Sequence, residues 1–412
     1  MRRNQPLYLI LFLFGCDRVP AVPTRPEATP TAHHISNRTD PVNGSGSQHA
    51  GAGAGRPADD RKSSAKGAGS VPGTAVASSP RPASEAISSS VGRVLETDTS
   101  PRGVCFTPDG RTLISGHWLR GRVVGWDVDA GRELRRYNGF DFTVESVDVS
   151  PDGKLVAGGG GTVVGGKQGV VRVWELESGK ERAVFRGHTE WVRSVRFLPD
   201  GKRLAALSNN GSSGDIKVWD LTTGVASSVP GVGASMAIAP DGNVLAYTPS
   251  DFGAKKYKGV VLFDLRTSKE THVLAERSGS LVAAVAISPD GSVLALAGAG
   301  ERPDRHSVYL YSIREGRELP PVTDGNTVWA GMRFSPDGTL LATTNLNGSV
   351  TIWDTTKWSV LHRFRAASTR AGRAVAWSPD GNRLAVGTGS PLRDDDRDGA
   401  LEVWTLKRTR AD

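Results

Sequence analysis

Seven times the chain writes Pro-Asp-Gly after a short apolar run, opening at Pro108, Pro151, Pro199, Pro240, Pro289, Pro336 and Pro379. Proline presets φ at the first central position of a type I turn, aspartate bonds the local backbone, and glycine releases the chain into the next strand. Two strands therefore flank every copy. Successive prolines lie 43, 48, 41, 49, 47 and 43 residues apart, long for leucine-rich or ankyrin repeats. Ahead of the turns, apolar pairs recur at period two: Val104/Phe106, Val147/Val149, Val195/Phe197, Met236/Ile238, Val285/Ile287, Met332/Phe334 and Val375/Trp377. This is the alternation of a half-buried strand.

After each turn comes an aromatic at the end of an alternating strand: Trp126, Trp174, Trp219, Phe263, Tyr311, Trp353 and Trp404. Trp126, Trp219 and Trp353 continue into aspartate. In these residues the chain resembles the WD40 family, over about residues 91–412. The resemblance implies an all-β fold, a seven-bladed β-propeller of four-stranded antiparallel blades. The family pattern is kept unevenly. One blade carries the Gly-His pair, Gly187-His188, with Ala206 where a serine would complete the family's His, Ser, Asp and Trp network; the first blade has Ser115 without a preceding Gly-His. Apolar packing between blades is therefore expected to hold the ring.

Eight residues follow Trp404, leaving the last blade short of an outer strand. An unpaired edge invites association with other chains. Val91 to Glu96 precedes the first inner strand as Gly131 to Leu134 precedes the second, so it is expected to pair with the strand around Leu401 to Leu406 and close a monomeric ring.

Three segments follow: a signal peptide over 1–16, a tether over 17–90 and the propeller over 91–412. Arg2 and Arg3 precede an apolar run, Leu7 to Phe14, too short to span a bilayer and suited to a signal-peptide core. Leu13-Phe14-Gly15-Cys16 resembles a bacterial lipobox, with Phe14 a departure; lipidation at Cys16, an ordinary cleaved signal and an uncleaved start all stay open. Residues 20–90 are dominated by Pro, Ala, Gly, Ser and Thr, too poor in apolar surface to offset chain entropy. About 70 such residues reach about 45 Å. Of the two cysteines, Cys105 sits inside an inner strand and reads as a small buried residue.

The net charge of +8 is spread along the chain rather than gathered in the basic stripe that nucleic acid requires, so no nucleic-acid partner is expected. Spacing varies mostly between the second and third strands of each blade. The long hairpins there are expected at Gly158 to Gly169, Ser250 to Gly259, Gly298 to Ser307 and Gly389 to Gly399. Loops on one rim of a repeat ring are a common binding face. The expected partner-binding residues are Lys167, Phe252, Lys255, Lys256, Tyr257, Lys258, Arg302 and Arg305, because aromatic and arginine side chains anchor interfaces.

Two loops imitate chemical motifs. Gly161 to Lys167 has phosphate-loop spacing, but Gln168 stands where Ser or Thr would hold magnesium. Asp394, Asp396 and Asp398 before Gly399, with Glu402 beyond, resemble a calcium loop; Thr405 stands where the last glutamate of an EF-hand would be, and Asp398-Gly399 also fits a blade's turn aspartate. No catalytic residue and no cofactor is expected. The leading reading is a non-catalytic protein-interaction scaffold, exported and held at a membrane by a lipid anchor in the cell envelope, with its protein partner unknown. The alternatives are an envelope assembly factor like the propeller lipoproteins of outer-membrane protein insertion, and a metal-dependent hydrolase or lactonase using the propeller channel.

Overall fold

A computed structural model describes residues 85–410 apart from 119, 163–167, 211–212, 252–255, 258, 274–280, 300–307, 324, 326–328, 346, 367–370 and 390–398. The described residues form strands and turns arranged in seven antiparallel sheets, the blades of a propeller. Blades 1 to 3, 5 and 6 each take four consecutive strands, over 101–137, 143–188, 192–229, 281–322 and 329–365, and blade 4 lies over 233–273. Blade 7 takes Ala371–Trp377, Arg383–Gly389 and Ala400–Arg410 and borrows its outer strand, Glu85–Leu95, from the start of the fold.

That borrowed strand closes the ring as expected, in a register that sets Val91 opposite Trp404 and Leu95 opposite Leu401. It starts at Glu85, six residues ahead of Val91. The extra residues reach blade 6, where Ser89 Oγ lies 2.8 Å from His362 Nε2 and Ile87 packs beside Leu361 and Phe364.

The Pro-Asp-Gly motifs join first to second strands in every blade. The glycine N–H donates to the carbonyl of the residue before proline at 2.8–2.9 Å, and the glycines hold φ between +64° and +72°, where a Cβ is disfavoured. Each aspartate accepts the N–H two residues on at 2.8–3.1 Å. In several blades a hydroxyl before the proline donates to the same carboxylate, holding Asp109, Asp152, Asp290 and Asp380 below the usual range. An antiparallel meander puts these turns on one rim. The hairpins between second and third strands, and the connections between blades, lie on the other.

Apolar packing runs between blades. Val104, Phe106 and Trp126 of blade 1 meet Ala376, Leu401 and Val403 of blade 7; Val144, Val147 and Trp174 of blade 2 meet Ile114 and Tyr137 of blade 1. Equivalent clusters join every other neighbouring pair. The polar network is divided between two blades. In blade 1 Trp126 Nε1 donates to Ser115 Oγ at 2.7 Å, and Ser115 Oγ lies 2.7 Å from His117 Nε2. This imidazole comes from the second strand, replacing the absent Gly-His. In the other, His188 at the end of blade 2's outer strand and Ser208 of blade 3 both bond Asp215 of blade 3, and the His188 ring stands edge-on to Trp219 at 4.9 Å.

Two loop expectations are corrected. Gly158 to Thr162 is not a loop but part of the strand Leu155–Thr162, paired through to Gln168. Its glycines serve close approach: a Cβ on Gly159 would lie 2.5 Å from Val195 Cγ1, and one on Gly161 would lie 2.6 Å from the Trp191 ring, both in blade 3. A glycine inside a strand commonly marks such contact. Blade 4 also departs from four strands, because Val244–Asp251 continues beyond the blade and pairs Ser250 and Asp251 with a short strand, Lys256–Tyr257.

Candidate functional site

Every inner strand carries an irregularity at the same place. Pairing of first to second strand shifts between Pro101/Gly103, Val144/Ser146, Val192/Ser194, Gly233/Met236, Val282/Ala284, Trp329/Gly331 and Gly372/Ala374. Such a bulge breaks the two-residue alternation and re-aims a side chain. The residues passed over include Arg102, Glu145, Arg193 and Arg373, and these line a cavity of about 160 Å³ to which the first strands of all seven blades contribute. It is the central channel of the ring. Arg196 and Arg333 line it too, and continue into an adjoining space of about 220 Å³ with Cys105, Asp148 and Trp377.

Among the described residues the channel is therefore cationic, five arginines against Glu145 and Asp148. Arg193 Nη1 donates to Glu145 Oε1 at 3.1 Å and its Nε to the Asn209 carbonyl at 3.0 Å. Arg196 donates to the Val195 carbonyl at 2.6 Å and to Ser146 Oγ at 3.3 Å, and Arg333 to the Met332 carbonyl at 2.9 Å. Burial pushes the Asp148 carboxyl above its ordinary range against the pull of Arg196, and its Oδ2 accepts the Phe197 N–H at 2.7 Å. Burial, then the Asp148 charge, push the Cys105 thiol well up, which makes it a poor nucleophile.

Beside this channel three aromatic side chains from consecutive blades meet on the rim of the hairpins and blade connections. Trp118 follows the second strand of blade 1, while Phe142 and Trp191 lead into the first strands of blades 2 and 3. Their ring centroids are 5.9 Å (Trp118–Phe142), 6.2 Å (Trp118–Trp191) and 5.1 Å (Phe142–Trp191) apart. The Arg102 guanidinium lies over Trp118 at 4.6 Å and that of Arg193 lies 6.0 Å from Trp191, within the range of cation–π attraction. The rings are half-buried, and the strand glycines of blade 2 are what admit Trp191. Aromatic and arginine groups so arranged can hold a peptide through apolar contact and paired hydrogen bonds.

Of the eight residues expected from sequence to bind a partner, two are among the described residues. Lys167, Phe252, Lys255, Lys258, Arg302 and Arg305 lie outside the described residues, as do Cys16, Asp394, Asp396 and Asp398. Lys256 and Tyr257 form the short added strand of blade 4, on the same rim as the aromatic cluster. Glu402 is buried in blade 7 and accepts the Trp404 indole N–H at 2.9 Å. Among the described residues no three His, Cys, Asp or Glu side chains gather as a metal-holding group. The channel arginines were missed, yet a signal was present. Arg102, Glu145, Arg193 and Arg373 all stand six residues before a turn proline, and Arg196 and Arg333 three before.

Comparison with known proteins follows the repeat. The WD domain, G-beta repeat family matches residues 131–175 and 179–220, each stretch running from an outer strand into the three inner strands of the next blade. The sequence repeat is thus offset by one strand from the blade, and this offset is why the last blade borrows Glu85–Leu95. The family described as Eukaryotic translation initiation factor eIF2A matches residues 243–407. The chain is also similar to WD repeat-containing protein VIP3 of Arabidopsis thaliana, 32% identical over 106 residues, which are 23% of this chain. The match spans 29% of that relative's length.

Proposed function

Because the chain belongs to the WD40-repeat β-propeller family, we propose that it is a protein-interaction scaffold whose partner docks at the channel mouth. One observation carries this reading: Trp118, Phe142 and Trp191 converge from three blades beside Arg102 and Arg193. A rigid ring offers a prearranged surface, which lowers the ordering cost of binding. Lys256 and Tyr257 extend the proposed surface along the same rim, and Lys167, Phe252, Lys255, Lys258, Arg302 and Arg305 belong to the same proposal on sequence grounds. Export with a lipid anchor at Cys16 belongs to this proposal, supported by Arg2, Arg3 and the Leu7 to Phe14 run.

The test is cross-linking in intact cells followed by recovery of the full chain and its partners from membrane and soluble fractions. Trp118→Ala and Trp191→Ala each reduce recovered partner about tenfold, the effect of losing an interface anchor, with unchanged circular dichroism. Partner recovery unaffected by both substitutions rules out the channel mouth. The match of residues 243–407 to a translation initiation factor family favours a second reading, a scaffold working outside the envelope. Recovery of the wild-type chain wholly in the soluble fraction selects it.

A further inference from the structure

The scaffold reading leaves open what chemistry the partner presents, and the channel speaks to that. Elsewhere in the ring, arginines meet carboxylates: Arg122 with Asp98, Arg136 with Glu133, Arg203 with Asp200, Arg408 with Asp337. In the channel Arg196 and Arg333 instead bond backbone carbonyls, which satisfy donors without cancelling charge. One of the two channel acids, Glu145, is already engaged by Arg193, and the other, Asp148, by a backbone N–H. Five guanidinium groups thus face two carboxylates around one axis among the described residues, and low-dielectric walls focus the field of that excess positive charge on whatever enters. Guanidinium is also the group whose planar fork matches carboxylate and phosphate oxygens.

Resting on the scaffold reading, we infer that the channel mouth takes an acidic peptide segment, with side-chain carboxylates or phosphates seated among Arg102, Arg193 and Arg373 and the adjoining chain lying over Trp118, Phe142 and Trp191. A cavity of about 160 Å³ admits a side chain but not a nucleic-acid duplex, whose recognition needs cationic groups spread along a surface. The aromatic rim suits the apolar residues that flank acidic ones in a peptide.

The experiment is fluorescence anisotropy on the purified full chain, using fluorescein-labelled hexaglutamate, a phosphoserine hexapeptide, hexalysine and a single-stranded hexanucleotide. One or both acidic peptides bind, with affinity falling as salt rises, while hexalysine does not. Arg102→Gln and Arg373→Gln each weaken acidic-peptide binding about tenfold, as loss of a charged anchor does. Arg373→Lys, which keeps the charge, restores most of it; thermal unfolding of each variant reports folding separately. Preference for hexaglutamate or for the phosphopeptide identifies the anion. The inference is overturned if neither acidic peptide binds at millimolar concentration in low salt, if binding is indifferent to the arginine substitutions, or if the hexanucleotide binds as tightly with the same losses. If Trp118→Ala abolishes partner recovery from cells while acidic peptides fail to bind, the anion reading falls and the scaffold reading stands.

Discussion

At the scale of single residues, the polar network shows how one hydroxyl group decides a local hydrogen-bond pattern. In blade 3 Ala206 is wholly buried, and Nε2 of His188, from the adjoining outer strand of blade 2, is buried without a hydrogen-bond partner. In blade 1 the matching position is Ser115, whose hydroxyl joins Trp126 to His117. Ala206→Ser should supply the missing acceptor or donor and stabilise the fold by about 1 kcal/mol, read as a higher urea midpoint; an unchanged or lower midpoint excludes the bridge. His117 makes a pH prediction. Burial pushes its imidazole from 6.5 down to about 4, so the unfolded chain binds the proton more readily than the folded one. Stability is then complete above pH 6.5 and is lost as pH falls toward 4, by about 2 kcal/mol between pH 7 and pH 5. Urea unfolding at the two pH values should show that loss in the wild type and a flatter response in His117→Gln. Neither network was legible in full from sequence, because His117 belongs to a strand rather than to the Gly-His position.

At the scale of elements, the strand Glu85–Leu95 shows what sequence order can and cannot say. Its existence and its partner followed from the repeat, which leaves the last blade one strand short. Its extension to blade 6 depended on contacts such as Ile87 against Leu361 and Phe364, between residues far apart in the chain. Leu95 is fully buried and Ile87 nearly so, and each contributes about 1.5–3 kcal/mol of burial. Deleting residues 85–95 should lower the thermal midpoint sharply and promote self-association through the exposed edge of Ala400–Arg410. A monomeric deletion variant with the wild-type midpoint would reject the closure. Glycine was the misleading signal at this scale. Gly158 to Gly161 reads as a loop in one dimension, yet the missing side chains make room for Val192, Val195 and Trp191 of the next blade.

At the scale of the whole molecule, ring closure brings residues 102, 145, 193 and 373 around one axis and creates a cationic channel. The partner predicted for this channel should therefore bind less tightly as salt rises, whereas a partner held by the aromatic rim alone would bind almost independently of it. By itself the sequence determined the repeat, its register, the blade count and the strand that closes the ring, since turn chemistry and period-two burial act over a few neighbouring residues. Only the tertiary structure decided where the arginines gather. Each inner strand brings at most two channel arginines, unremarkable alone; bulges at one place in the inner strands and closure of seven blades make Arg102, Glu145, Arg193 and Arg373 neighbours around the axis.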